Sequence, residues 1–207
     1  YVDSPLSLNV GDATVWITPD SQLNLNTASE LARMTVQVKE QRDSVVEGDQ
    51  QAYDELPFTE YRMSCVTRLS EAIKAMGDDD LHIALAHYPP TQGYLNSALV
   101  LSEQNSDSSI TYLRPVDLVL AGHYCGGQWK LPFIGAIYIP APEAERHGWF
   151  PAQSRVEGLS LMGSISMYVS GGLGATDSIY LPRFRLLNSP KVTLITLTSS
   201  LTEDMLD

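Results

Sequence analysis

An apolar strand runs directly into a glycine-rich turn in the segment Pro115-Val116-Asp117-Leu118-Val119-Leu120-Ala121-Gly122-His123-Tyr124-Cys125-Gly126-Gly127-Gln128. The apolar run 116–121, with one Asp, is typical of a strand buried on both faces. Gly122 ends the run. His123 and Cys125 follow two residues apart, so in an extended backbone both side chains point to the same side. Because imidazole and thiolate are good ligands of soft metal ions, the segment predicts a metal-binding loop at the carboxyl end of a core strand.

A second strand with the same ending precedes it. The apolar run 81–86 is followed by His87 and then by Tyr88-Pro89-Pro90. In open α/β sheets, sites form beyond the carboxyl ends of the strands. If the two strands are neighbours in a sheet, we expect His87 and His123 to converge on a common site.

These motifs resemble those of the calcineurin-like metallophosphoesterase superfamily, close to its YkuE-type bacterial branch. The resemblance covers about residues 81–197. It includes the H-x-P of His87, the string D-L-V-L-A-G-H-x-x-G-G-Q at 117–128, and Leu131-Pro132-Phe133. Further along, it includes the segments 168–174, 182–188 and 192–197.

The chain departs from the family pattern in two ways. The closing family motif is G-H-x-H, with both His residues on metal, whereas this sequence has Cys125 at the second position. The earlier family motifs, D-x-H followed by G-D-x-x-D and then G-N-H-D/E, do not occur as a set in the 207 residues. The resemblance therefore implies an α/β chain that is the C-terminal part of a four-layer α/β/β/α metallophosphoesterase sandwich.

The family resemblance also implies a set of metal ligands. Two divalent metal ions (Mn, Zn or Fe) are expected, with His87 and His123 matching ligands of the second metal and Cys125 matching the His ligand of the first. Alternatively, Cys125 is a neutral thiol and the first metal relies on ligands from the missing half. No catalytic residue is expected within this chain, and no substrate-binding residue can be assigned.

Three functions from different classes follow. The first is a dinuclear-metal phosphoester or pyrophosphate hydrolase, present as a fragment that is inactive alone. The second is a degenerate module that binds a single Zn ion through His87, His123 and Cys125 without hydrolysis. The third, ranked last, is a cysteine hydrolase with Cys125 as nucleophile and either His as base, because no known nucleophile signature surrounds this Cys.

Composition narrows the expected partners. The formal charge of −12 argues against nucleic acid, which requires patches of Lys and Arg. A phosphorylated small-molecule or lipid substrate remains compatible, since bound metal ions reverse the local field. No apolar run is long enough to span a membrane, and no signal peptide opens the sequence. The resemblance implies a bacterial protein, either cytoplasmic or membrane-associated through a missing N-terminus. A missing N-terminal half or a second copy is expected to cover its apolar edge.

The pattern along the chain predicts a single domain over 1–207 with a helical insertion over 26–77. Strands are predicted at 6–10, 13–18, 81–86, 116–121, 136–139, 158–162, 166–170, 184–187 and 191–197. Helices are predicted at about 28–46, 60–76 and 93–102, with Thr59 capping the second and a polar loop over 48–57.

Several polar residues are expected to have structural or surface roles. His82 lies five residues before His87 and therefore on the opposite face of its strand, where it is expected to pack. Cys65 fits the apolar face of a helix. The following residues are expected on the surface: Asp78-Asp79-Asp80, His147, Arg183 and Arg185. One of the two arginines can instead reach a phosphate.

Overall fold

The structure is a computed structural model that describes residues 3–106, 109–141, 145–176 and 183–198. The strands in chain order are β1 (Leu6–Val10), β2 (Ala13–Pro19), β3 (Leu81–Ala86), β4 (Leu118–Ala121), β5 (Trp129–Leu131), β6 (Gly135–Tyr138), β7 (Gly158–Met162) and β8 (Ile165–Val169). The helices are α1 (Thr27–Val46), α2 (Gln50–Ala75) and α3 (Gln92–Ser102). No helix among the described residues is both long and apolar enough to cross a membrane.

The chain divides into two compact units. Unit 1 contains Tyr1–Gly122 and Gly158–Val169, and unit 2 contains His123–Glu157 and Ser170–Asp207. The single-domain interpretation, with 26–77 as an insertion, stays a prediction.

Unit 1 is built on a six-stranded sheet in the order β1-β2-β3-β4-β8-β7. The four central strands are parallel to one another, and the outer strands β1 and β7 are antiparallel to their neighbours. Central strands need apolar side chains on both faces, and Ala84, Val119 and Met167 are fully buried. Helices and a mixed sheet confirm the predicted α/β class.

The helices α1 and α2 form a longer pair than the sequence predicted. The sequence offers Asn26 or Thr27 as the cap of α1, and the structure has Asn26, whose side chain accepts a hydrogen bond from the Ser29 amide. The predicted loop over 48–57 is wrong, because Asp49 caps α2 by accepting from the amides of Gln51 and Ala52. Pro57 therefore lies inside a helix rather than before one. The predicted cap Thr59 instead donates its hydroxyl to the carbonyl of Glu55.

Unit 2 contains the β5–β6 hairpin and an aromatic cluster beside it. The ring of Trp129 lies 5.2 Å from Phe184, 5.8 Å from Tyr138 and 6.1 Å from Trp149, measured between ring centroids. The indole nitrogen of Trp129 also donates to the carbonyl of Phe184. The cluster fixes the C-terminal segment of unit 2 against the hairpin.

Two of the predicted strands are wrong. Around 184–187, only Leu186 forms an isolated parallel bridge, with Trp129. The described residues 191–198 form no strand, and Val192 and Leu194 are 82% and 90% exposed. Alternating β-branched and apolar residues favour a strand, but a strand forms only when a neighbouring backbone supplies its hydrogen bonds.

Candidate metal centre

The two strands that end in His are neighbours in the sheet of unit 1. β3 and β4 pair in parallel, with Ala86 opposite Ala121. Because the carboxyl ends of parallel strands lie at the same edge, the segments that follow β3 and β4 leave the sheet at the same edge. His87 follows β3 directly and His123 follows β4 by two residues. The adjacency of the strands, which the sequence only assumed, is confirmed.

An acidic side chain that the sequence analysis missed lies near His87. Asp20 follows β2, which pairs in parallel with β3 and places Pro19 opposite Leu85. Burial raises the pKa of the Asp20 carboxyl, while backbone amides and the charge of His87 act in the opposite direction. The signal in the sequence was a carboxylate directly after an apolar strand next to the strand of His87. A carboxylate beside a ligating imidazole can orient it.

Tyr94 of α3 fixes the backbone at Asp20. Its hydroxyl donates to the Asp20 carbonyl over 2.6 Å. Burial raises the pKa of the Tyr94 hydroxyl, and the negative charge of Asp20 adds to this effect. The hydroxyl therefore stays protonated and keeps donating throughout the physiological range.

His123 has a backbone and a ring contact that suit a metal ligand. Its φ of +68° lies in the left-handed region, which is costly for a residue with a β-carbon. Its Nε2 lies 2.8 Å from the carbonyl oxygen of Pro140. A carbonyl only accepts, so Nε2 carries the proton, and Nδ1 of a neutral ring then carries the lone pair. Metal-binding His residues typically donate their other ring N–H to such a carbonyl.

Cys125 does not follow the extended geometry that the sequence predicted. Its φ is +52°, so the rule that places residues i and i+2 on one side of a strand does not apply. Its Sγ donates to the carbonyl of His123 over 3.4 Å and lies 4.0 Å from Oγ1 of Thr176. A sulfur that donates to a carbonyl is a thiol, whereas a metal ligand is a thiolate. Cys125 as a metal ligand, and the neutral thiol that is the alternative to it, both stay predictions.

The two glycines after Cys125 are required by crowding. A β-carbon on Gly126 would lie 2.7 Å from a carboxylate oxygen of Glu157 and 3.2 Å from Cα of Gly171. One on Gly127 would lie 2.3 Å from Cβ of Ala136. Both glycines also have positive φ values. The turn can therefore form only with glycine at these positions.

Two buried amide side chains hold this turn. Asn188 donates Nδ2 to the carbonyls of Cys125 at 2.7 Å and Gly127 at 2.8 Å. Gln128, fully buried, donates to the carbonyl of Thr176 and accepts from its amide, both at 3.0 Å. Neither residue was singled out from the sequence, where a lone amide carries no such signal.

A carboxylate between two lysines borders the same turn. Lys130 donates to Glu157 at 2.5 Å, and Lys191 donates to its other oxygen. Burial raises the pKa of the Glu157 carboxyl, but the hydrogen bonds and charges of the two lysines outweigh it, so the pKa is lowered. Glu157 is therefore ionised at neutral pH.

His82 and the aspartates before β3 build a polar cavity at the other end of the strands. The cavity has a volume of about 270 Å³ and is lined by residues that include Trp16, Asp80, His82, Arg114 and Asp117. All of these precede or begin strands of unit 1, except Trp16 in the middle of β2. The cavity lies at the amino ends of β3 and β4, whereas the predicted metal site lies beyond their carboxyl ends.

The aspartates before β3 lie in a surface loop, as predicted, with Asp78 and Asp79 exposed and Asp80 half-buried. Asp80 accepts hydrogen bonds from the indole of Trp16 at 2.8 Å and the amide of Gly77 at 2.7 Å, and Asp78 pairs with Arg114. The predicted packing roles are confirmed for His82, which is 3% exposed, and for Cys65, which is buried. His147 is exposed, as expected.

The arginines near the end of the described chain bind backbone. Arg183 donates Nε to the carbonyl of Ala175 over 2.7 Å. Arg185 is half-buried rather than fully on the surface, and it donates only to carbonyl oxygens among its described contacts.

The residues present fit a metal ion in part. The donor chemistry of His123 fits, with Nε2 anchored and Nδ1 carrying the lone pair of a neutral ring. Among the residues that the structure describes, no three His, Cys, Asp or Glu side chains are grouped so that they could hold a metal ion. His87, His123 and Cys125 as a joint ligand set therefore stays a prediction.

Curated bacterial proteins match much of this chain. It is 36% identical over 150 residues to the "uncharacterized metallophosphoesterase YkuE" of Bacillus subtilis, a match covering 69% of this chain and 48% of that protein. It is 30% identical over 122 residues to the "phosphodiesterase YaeI" of Escherichia coli, covering 59% of this chain and 40% of that protein. No family model and no solved structure matches. The chain thus spans about half the length, or less, of these relatives, and the matches confirm its resemblance to YkuE-type metallophosphoesterases.

Proposed function

We propose that this chain is the C-terminal part of a metallophosphoesterase that hydrolyses phosphoric esters, with phosphodiesters as the first substrate class to test. The names of both relatives and the string at 117–128 support the reaction class. The observation that carries the proposal is the ring of His123, whose Nε2 donates to the carbonyl of Pro140 as ligating imidazoles do.

In this proposal His87 and His123 are ligands of one metal of a dinuclear centre. Bound divalent ions would supply an activated water at neutral pH and positive charge for the phosphate oxygens. The chain contributes two other features: the carboxylate of Asp20 near His87, and the hydrogen bond that fixes the tautomer of His123. Cys125 as a ligand of the other metal would first have to lose the proton that it now donates to the His123 carbonyl.

The remaining ligands are proposed to come from the family motifs D-x-H, G-D-x-x-D and G-N-H-D/E, a set that does not occur in these 207 residues; the one D-x-H string, at 80–82, lies at the amino end of β3. Their absence agrees with the lack of a three-ligand group among the described residues. The metal identity (Mn, Zn or Fe) and the substrate, a phosphorylated small molecule or lipid, belong to the same proposal.

We expect this chain alone to hydrolyse bis-p-nitrophenyl phosphate and p-nitrophenyl phosphate negligibly with Mn²⁺ or Zn²⁺, because too few ligands are present. Addition of an upstream region carrying the three motifs should restore turnover. The measurement is release of p-nitrophenolate by both proteins. Robust turnover by the isolated chain would refute the incomplete-site proposal.

A module that binds a single Zn through His87, His123 and Cys125 without hydrolysis is the second candidate. Elemental analysis distinguishes the two. About one tightly held Zn per chain, with no hydrolysis even in the extended protein, would favour the module.

A further inference from the structure

We propose that Arg185 is a positioning residue that fixes the loop carrying His123 and Cys125. The inference rests on the proposed function, because its consequence for metal binding requires that this loop supply a ligand. The residue was singled out in the sequence only as a possible phosphate contact, and the contacts of its guanidinium indicate a different role.

All five N–H groups of the Arg185 guanidinium have backbone carbonyl acceptors within 3.1 Å. Nε donates to Asn188 at 3.1 Å, Nη1 donates to Gly172 and Gly174 at 2.9 Å each, and Nη2 donates to Cys125 at 2.6 Å and Gly171 at 2.7 Å. An arginine has five donors in a fixed planar fork, so this set of acceptors satisfies it completely. The ion pairs of the described residues do not include Arg185.

These carbonyls belong to separate segments of unit 2. Cys125 lies in the turn after β4, Gly171 to Gly174 follow β8, and Asn188 lies in the C-terminal segment. A single cation therefore holds three segments together. Its charge is stabilised by carbonyl dipoles, in the way that a bound metal cation is stabilised by oxygen ligands.

The contact with Cys125 is the step that connects Arg185 to the candidate ligands. Nη2 of Arg185 and Nδ2 of Asn188 both donate to the Cys125 carbonyl, at 2.6 and 2.7 Å. The Cys125 thiol in turn donates to the carbonyl of His123. Residues with β-carbons hold positive φ only where the surroundings determine the conformation, and here His123 and Cys125 both have positive φ. Arg185 and Asn188 stabilise this conformation through their hydrogen bonds to the Cys125 carbonyl.

A lysine cannot replace this arginine. Its ammonium has three donors and no planar fork, so Arg185→Lys would leave carbonyls without donors while it preserves the charge. Loss of partners that orient metal ligands typically weakens metal binding about 10–100-fold. We therefore expect Arg185→Lys to weaken Co²⁺ binding by this factor and to change the visible spectrum of the bound Co²⁺. The matched control is Arg183→Lys, two residues before Arg185, which alters a single hydrogen bond to the Ala175 carbonyl. This variant should bind Co²⁺ as the wild type does.

A second readout does not depend on metal. In a Cys65→Ala background Cys125 is the only thiol, since the sequence has two cysteines. Arg185→Lys should accelerate modification of Cys125 by a thiol reagent, because its loop opens more often. Asn188→Ala should change both readouts in the same direction, which keeps the inference testable if the Arg185 variant does not fold.

The outcomes separate this inference from the proposed function. If the wild-type chain binds no Co²⁺ but Arg185→Lys still accelerates thiol modification, the metal-site proposal fails for this chain. The role of Arg185 in fixing the loop is then still supported. If Arg185→Lys and Asn188→Ala leave both Co²⁺ affinity and thiol reactivity unchanged, the inference about Arg185 is overturned.

Discussion

Among the titratable side chains that the structure describes, His82 is one of the least exposed, at 3%. Its Nδ1 lies 3.1 Å from the carbonyls of Arg114 and Pro115, so Nδ1 carries the proton, and its Nε2 lies 2.8 Å from the hydroxyl of Thr18. Burial lowers the pKa of the imidazole, although the two carbonyls and the charge of Asp117 act in the opposite direction. His82 is therefore neutral in the folded chain.

This burial predicts a pH dependence of stability. The pKa of His82 is lower in the folded chain than in the unfolded chain, so the unfolded chain binds the extra proton first. The free energy of unfolding should fall as pH drops below the unfolded value of about 6.5, by at most about 1.4 kcal/mol per pH unit. Urea unfolding between pH 7.5 and 5 measures it. His82→Gln, which lacks the titrating group, should show a flatter curve, and parallel curves for both proteins would contradict the prediction.

A second residue-scale prediction concerns His123. Loss of a residue that orients a metal ligand typically weakens metal binding about 10–100-fold. His123→Ala should weaken Zn²⁺ binding by more than this, because it removes a proposed ligand itself. His147→Ala is the control, since that side chain is exposed and is not proposed as a ligand. Competition with a chromophoric chelator measures both affinities, and equal losses in the two variants would argue against a specific role of His123.

At the scale of elements, Pro57 inside α2 is the feature that departs most from local preference. A proline in a helix interior lacks the N–H that would bond the carbonyl four residues earlier, here that of Tyr53, and its ring crowds that carbonyl. The helix continues because Asp49 caps its start and its buried residues include Leu69 and Ile73. Tertiary burial thus outweighs a local stop signal.

Replacement of this proline should stabilise the chain. Pro57→Ala restores one backbone donor and removes the steric conflict, so the free energy of unfolding should rise by about 1–3 kcal/mol. Urea unfolding at neutral pH measures the change. Thr67→Ala, an exposed position of the same helix, should raise it by less than about 1 kcal/mol. A destabilised Pro57→Ala would show that the proline conformation is favoured in its context.

The sequence predicted the elements whose pattern is local. The strand β3 has its predicted bounds, β4 ends where predicted but begins two residues later, and α1 begins within one residue of its predicted start. The polar residues over 48–57 favoured a loop, whereas Asp49, three residues before Ala52, is the capping residue of a helix. The strand expected at 191–197 and the extended turn at Cys125 depended on partners distant in sequence, and the five carbonyls around Arg185 come from residues up to sixty positions away.

At the scale of the whole molecule, charge is divided unevenly between the two units. The chain carries a formal charge of −12. Within the described part of unit 2 the only acidic residues are Glu145 and Glu157, whereas Lys and Arg are more numerous there: Lys130, Arg146, Arg155, Arg183, Arg185 and Lys191. A less acidic region around the turn that follows β4 is compatible with an anionic phosphate substrate, because it does not repel the substrate as unit 1 would.

The proposed function requires that His87 and His123 bind one metal centre, with His123 coordinating through Nδ1. The most direct measurement is ¹⁵N NMR of the four histidines of the chain during titration with Zn²⁺. We predict that the ring nitrogens of His87 and His123 shift together with the same stoichiometry, that Nδ1 of His123 shows the coordination shift, and that His82 and His147 do not respond. A response of only one of the two, or coordination of His123 through Nε2, would contradict the account.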